Sequence, residues 1–100
     1  MHAIQQNAQA AANFLKGLAN AHRLMILCEL ADGEKNVTAL MDATGIAQTS
    51  MSQHLGKLKN EGLVTYRRDH RTLYYRINHG AVTEIMGTLY RAFCELEGSE

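Results

Sequence analysis

Proline and tryptophan are absent from this chain of 100 residues, aromatic side chains make up only 6% of it, and cysteine occurs twice. Without proline, no helix is forced to break. Few aromatics and 46% apolar residues favour a helical, bundle-like body over a β-sandwich. No apolar run approaches the roughly 18 residues of a membrane span. The opening MHAIQQNAQAAANF lacks both a positive stretch and an unbroken apolar one, so no signal peptide is expected. A cytoplasmic protein is therefore the expectation, and in that compartment thiols stay reduced. Cys28 and Cys94 then read as free thiols or a redox pair rather than a structural staple.

Net charge is also lacking, with ten cations against ten acids. Alone, that argues against a nucleic-acid partner, but the charges are not evenly spread. Between residues 48 and 76 six cations (Lys57, Lys59, Arg67, Arg68, Arg71, Arg76) face two acids (Glu61, Asp69), leaving +4. From residue 79 onward four acids (Glu84, Glu95, Glu97, Glu100) face Arg91, leaving −3. A neutral chain with a concentrated basic segment can hold a polyanion locally. A merely solvated basic surface has the same composition.

What is present divides into five helical stretches and one hairpin, enough for one domain over residues 1–100 with a modest core. Residues 4–18 are rich in good helix formers, with Phe14, Leu15 and Leu18 as an apolar edge. So few charges precede Lys16 that this helix needs a packing partner. Asn20 caps a second helix, 21–31, which Gly33 ends. Its run LMILCEL is apolar on nearly every side, so it reads as a central, buried helix. Asn36 caps a third, Val37 to Thr44, and Gly45-Ile46-Ala47 leads into a fourth over 48–61 whose inward row is Met51, Leu55 and Leu58. Two helices joined by a three-residue, glycine-containing turn form a helix-turn-helix over 37–61.

After Gly62 the rhythm becomes that of strands. LVTYRR and TLYYRI flank a turn at Asp69-His70-Arg71, and Leu73, Tyr75 and Ile77 share one face of the second strand. A hairpin over 63–77 after a helix-turn-helix reads as a wing, giving a mainly α winged helix fold. The last helix, 79–95, carries Val82, Ile85, Met86, Leu89, Tyr90 and Phe93 as an apolar stripe. Gly87 interrupts it at about 1 kcal/mol relative to alanine, leaving room for a close neighbour.

The outer face of the fourth helix suits DNA. Gln48 and Gln53 can read adenine, while Thr49, Ser50, Ser52 and His54 can bond base edges or phosphates and Lys57 adds charge. Free N–H groups at a helix start also favour phosphate. Arg67, Arg68, His70 and Arg71 of the wing would hold backbone or minor groove beside it.

These stretches carry a family resemblance. TSMSQHLGKLKNEGLVTYRRDHRTLYYRI, with LANAHRLMILCEL upstream, resembles the ArsR/SmtB (arsenic-repressor) family over nearly the whole chain. The resemblance implies a homodimeric bacterial repressor that binds a near-palindromic operator in double-stranded DNA. Its first and last helices (4–18 and 79–95) would form the dimer interface through Phe14, Leu15, Val82, Ile85, Met86, Leu89, Tyr90 and Phe93. Relatives usually have Ser where Ala47 stands, a cap typically worth about 1 kcal/mol.

Many members of that family sense metals, but the donors are missing here. NVTALMDATG lacks the Cys-x-Cys cluster of one site type, and HGAVTEIMGTLYRAF offers only His79 and Glu84 toward the other. His2, His22 and His70 read as surface residues, and neither a metal nor another cofactor is expected. Cys28 and Cys94 instead match a narrower dithiol subgroup that senses reactive sulfur species or oxidants. In that subgroup a disulfide or polysulfide bridge joins the two thiols and DNA is released. The plainer alternative keeps both as small buried apolar residues. A metal-responsive repressor and a winged helix regulator without thiol sensing are the other readings. No activating base is placed near either thiol and no catalytic residue is assigned, so an enzyme is not expected.

Overall fold

The computed structural model describes residues 2–95. Gly98 and the acidic tail, expected to fray, lie outside the described residues. In place of one helix over 4–18 there are two, α1 (His2–Gln6) and α2 (Ala8–Leu18). They part at Asn7, whose backbone (φ −110°, ψ 14°) leaves the helical region. Its N–H reaches the carbonyl of Ile4 at 3.2 Å. Asparagine is a weak helix former because its amide competes for backbone partners.

The next two helices start where their caps stand. The Asn20 side chain accepts the Arg23 N–H at 3.1 Å and opens α3 (Ala21–Leu30). Asn36 does the same for the Ala39 N–H at 2.8 Å and opens α4 (Val37–Thr44). Gly45, at φ 75°, ends α4 in a left-handed conformation that suits glycine. The turn through buried Ile46 then leads into α5 (Gln48–Asn60).

The expected hairpin is part of a three-stranded antiparallel sheet of order β1-β3-β2. Its strands are β1 (Lys35–Asn36), β2 (Val64–Asp69) and β3 (Thr72–Ile77). Strand β1 has two residues, too short to show any alternation. The wing turn is tighter than expected: Asp69 pairs with Thr72, so His70 and Arg71 alone connect the strands. His70 takes φ 59°, a region where histidine is several-fold enriched among non-glycine residues.

The last helix, α6 (Gly80–Tyr90), continues as a π-turn over Arg91–Glu95. His79 Nδ1 accepts the Ala81 N–H at 3.2 Å and caps it, while the imidazole lies against Phe14 with ring centroids 4.9 Å apart. Among the described residues no helix is long and apolar enough to cross a membrane.

The core joins Ile26 and Leu27 of α3, Leu40 of α4 and Met51, Leu55 and Leu58 of α5. Leu63 after α5, Val64 of β2 and Val82 of α6 complete it, none of the nine more than 2% exposed. Each such side chain stabilises the fold by roughly 1.5–3 kcal/mol.

One expectation about the helices needs correcting here. Helix α3 is not buried all round. Ile26, Leu27 and Leu30 enter the core, but Met25 is 42% exposed and Cys28 is exposed. The helix is apolar on both sides because it stands between the core and an open groove. Arg23, by contrast, is buried. Its Nε donates to the Gly17 carbonyl at 2.7 Å and its Nη2 to that of Lys16 at 3.2 Å. It thus holds the end of α2 against α3, where a cation also meets the negative end of the helix dipole.

The residues expected at a dimer interface separate in the same way. Val82 and Met86 belong to the subunit's own core, and Phe14, Ile85 and Leu89 are half-buried against it. Leu15 and Tyr90, each 53% exposed, and Phe93, 69% exposed, stand open. Within the subunit, a Cβ at Gly87 would meet only the Arg91 guanidinium at an ordinary 3.5 Å, so the close neighbour expected there is not found.

Ala47 begins α5 without any side-chain cap. Ala47→Ser should raise unfolding stability by about 1 kcal/mol. Unchanged urea or thermal melts would show that the first turn of α5 is already satisfied.

Candidate nucleic-acid interface and thiol groove

Helix α5 turns Met51, Leu55 and Leu58 inward, which fixes the opposite face outward. Gln48, Thr49, Ser52, Gln53 and Lys57 are exposed there, and Ser50 and His54 are half-buried. On the wing, Arg67, Arg68, His70 and Arg71 are all exposed. The structure thus brings the expected reading residues onto one helix and one hairpin, but several are already engaged. Lys57 pairs with Glu61 at 2.8 Å, one turn along. The Arg67 Nε donates to both carboxylate oxygens of Glu34, at 3.0 and 3.1 Å, and its guanidinium lies 4.6 Å from the Tyr74 ring centroid. His70 Nδ1 lies 2.8 Å from an Asp69 carboxylate oxygen. Among the described residues, Arg68 and Arg71 enter no ion pair.

His54 faces the start of α3 rather than open solvent. Its ring meets His22 edge-on with centroids 5.4 Å apart. Partial burial, the Arg23 cation and His22, in that order, push its pKa below the ordinary 6.5. The neutral imidazole is therefore favoured, as a group that joins α5 to α3.

Cys28 and Cys94 line one groove of about 410 Å³ between α3 and the end of α6. Its other walls are Leu24, Met25, Met86, Leu89, Tyr90 and Phe93. The Cys28 thiol is pushed up from its ordinary value, first by loss of solvation, then by Cys94, Glu29 and Asp32. Cys28 is reachable from solvent, yet desolvation leads because the walls beside it are apolar; both descriptions hold. Cys94 lies on the π-turn, where the backbone departs from α-helical register. Arg91, one turn before it, directs a guanidinium nitrogen to Thr88 Oγ1 at 3.3 Å. Among the described residues no three His, Cys, Asp or Glu side chains gather where they could share a metal ion.

With this geometry in place, similarity to known proteins decides the family. The model described as "Bacterial regulatory protein, arsR family" matches residues 20–66. The biofilm growth-associated repressor of Xylella fastidiosa is 36% identical over 94 residues, covering 94% of this chain and 82% of that protein. The chain belongs to the ArsR family.

The crystal structure of BigR, a transcriptional repressor from Xylella fastidiosa, superposes on this ArsR-family chain with a TM-score of 0.87. It is 35% identical and covers 93% of this chain and 95% of that one. Reduced HlyU from Vibrio cholerae gives 0.87 at 34% identity, over 94% and 99%. A winged helix-turn-helix DNA-binding domain from Mycobacterium bovis, described as homodimeric, gives 0.75 at 37%, over 89% and 82%. The protein is thus a winged helix DNA-binding transcriptional regulator of the ArsR family.

Sequence reasoning missed Glu34, Tyr74, Arg23 and Met25. Glu34 comes to Arg67 through the pairing of β1 with β3, of which the two-residue β1 gives no sign, while Tyr74 stands opposite Arg67 across the β2–β3 hairpin. The burial of Arg23 has no local signature. Met25 was legible as apolar, but not as a wall of the thiol groove.

Two outcomes test this electrostatic picture. His54 is harder to protonate folded than unfolded, so its contribution to stability is present above pH 6.5 and lost as pH falls below that value. His54→Gln should flatten the fall in thermal midpoint on acidification; an unchanged slope would place its origin elsewhere. In the Cys94→Ser protein, iodoacetamide should modify Cys28 at a rate still climbing as pH passes 9.0. A plateau below that value would mean the thiol is not held neutral.

Proposed function

We propose that this ArsR-family regulator binds operator DNA as a two-fold dimer through α5 and the wing, and that joining Cys28 to Cys94 weakens that binding. The observation that carries this reading is the single groove lined by both thiols. Cys28 belongs to a helix packed into the core, and Cys94 to an exposed segment that adjoins the apolar side chains left open on the subunit.

The dimer is supported by Leu15, Met25, Tyr90 and Phe93. These large apolar side chains are exposed on a small subunit, as an association surface requires. The homodimeric description of the Mycobacterium bovis relative points the same way. In such a dimer two α5 helices must lie about one DNA turn, roughly 34 Å, apart. Gln48, Thr49, Ser50, Ser52, Gln53 and Lys57 would then face the major groove, while His54 holds α5 against α3 behind them. Arg67, Arg68, His70 and Arg71 would meet the flanking backbone.

The chemistry needs a two-electron oxidant. A thiolate at Cys94 attacks the outer sulfur of an organic persulfide RSSH, leaving RSH and a Cys94 persulfide. The Cys28 thiolate then displaces hydrogen sulfide and the disulfide closes. With a peroxide, Cys94 becomes a sulfenic acid as an alcohol or water departs, and attack by Cys28 releases water. Cys94 acts first in this scheme because loss of solvation, Cys94 and two carboxylates hold the Cys28 thiol protonated.

The bridge acts on DNA binding through α3. Beyond Cys28, the Glu29 carbonyl accepts the Lys35 ammonium at 2.8 Å. Lys35 and Asn36 form β1, which pairs with Tyr75 and Tyr74 of the wing, and Asn36 also caps α4. At the other end of α3, His22 touches His54 of α5. A shift of α3 therefore reaches both reading elements. Coupling of about 1–3 kcal/mol, some five- to 150-fold in affinity, is usual for such a device.

Treatment with an organic persulfide or a peroxide should weaken operator binding by the wild-type protein at least about fivefold. Cys28→Ser and Cys94→Ser proteins should be unaffected, and mass spectrometry should find both thiols consumed together. Equal binding curves for reduced and treated wild-type protein would leave a regulator without thiol sensing.

A further inference from the structure

Arg67 is the wing cation already held in the way a DNA phosphate would hold it. Its Nε spans both oxygens of Glu34 at 3.0 and 3.1 Å, and Nη2 reaches Oε1 as well. A guanidinium fork on two oxygens is the geometry that arginine offers to phosphate and carboxylate alike. The guanidinium carbon lies 4.6 Å from the ring centroid of Tyr74, the residue paired with Arg67 across the hairpin. The hydrogen bonds between Arg67 and Glu34 lower the pKa of the Glu34 carboxyl from its ordinary value and raise that of the Arg67 guanidinium. Glu34 is not part of the wing; it stands in the connection between α3 and β1.

Arg68 and Arg71, one residue and four residues further along the chain, enter no ion pair among the described residues. Of Arg67, Arg68 and Arg71, Arg67 therefore differs by carrying an acidic occupant.

We propose that Glu34 is an internal stand-in for a DNA phosphate, which occupies Arg67 in the free protein and gives it up when the wing meets the DNA backbone. Glu34 then sets how strongly the wing holds DNA of any sequence: the anion must be released before Arg67 can bond a phosphate. The ion pair is half-exposed, so the restraint is small and readily exchanged, as a gate on a binding arm must be. This inference rests on the reading that the wing contacts duplex DNA.

The test uses the full chain and a fluorescein-labelled, mixed-sequence duplex, titrated at several salt concentrations. Glu34→Gln should bind about two- to fivefold more tightly, with the dependence on salt unchanged. Arg67→Gln should bind more weakly and lower the slope of log affinity against log salt by about 0.9, the value of one lost phosphate contact. In the Arg67→Gln background the gain from Glu34→Gln should largely vanish. A gain as large or larger there would reduce Glu34 to general repulsion of DNA and overturn the proposal. So would weaker binding by Glu34→Gln with unchanged circular dichroism, which would make the pair a brace for the wing. Failure of the interface reading looks different: duplex binding insensitive to salt and to Arg68→Ala with Arg71→Ala. That result would remove the proposal with it.

Discussion

Helix α3 has two apolar sides, and that constraint shapes the rest of the molecule. Ile26, Leu27 and Leu30 are locked in the core, at 3% exposure or less, while Leu24, Met25 and Cys28 form a wall of the open groove. Close-packed interiors do not deform continuously. On the proposed reading, a force applied at Cys28 would move α3 as a body rather than one side chain. Both ends of the helix are tied to the parts of the proposed DNA interface, through His22 to α5 and through Glu29 and Lys35 to β1. A thiol pair on the surface of an isolated helix would have no comparable leverage.

The basic segment looks different once its partners are counted. Lys57, Arg67 and His70 each lie beside an acidic group from the same subunit. The +4 of the basic segment is offset in the chain's total mainly by the acidic C-terminal region, while the pairs above neutralise individual cations locally. Pairing of this kind is weak at a solvated surface. In the proposed interface it would moderate attraction to DNA without abolishing it. Desolvation works in the same direction at His54, where the neutral ring is favoured beside Arg23.

Much of this was legible in the sequence, because local rules governed it. Asn20, Asn36 and Gly45 marked helix ends correctly, and the spacing of Met51, Leu55 and Leu58 gave the inward row of α5. Alternation in TLYYRI separated Tyr75 from Tyr74. What escaped depends on tertiary partners. A helix that is apolar all round reads as buried whether or not a neighbour covers each side, so the exposure of Cys28 was hidden. The pairing of β1 with β3, the burial of Arg23 and the Glu34–Arg67 contact all join residues that no periodicity connects. The π-turn at Cys94 likewise follows from backbone geometry that RAFCE does not announce.

The central claim is that a bond between Cys28 and Cys94 moves α3, and that β1 and α5 move with it. Hydrogen–deuterium exchange on the reduced and the bridged protein reads this directly, amide by amide and without DNA. Altered protection is expected in β1, at Tyr74 and Tyr75 opposite it, and along α5, as well as beside the two thiols. Changes confined to the ends of α3 and α6, with the hairpin and α5 protected as before, would contradict it.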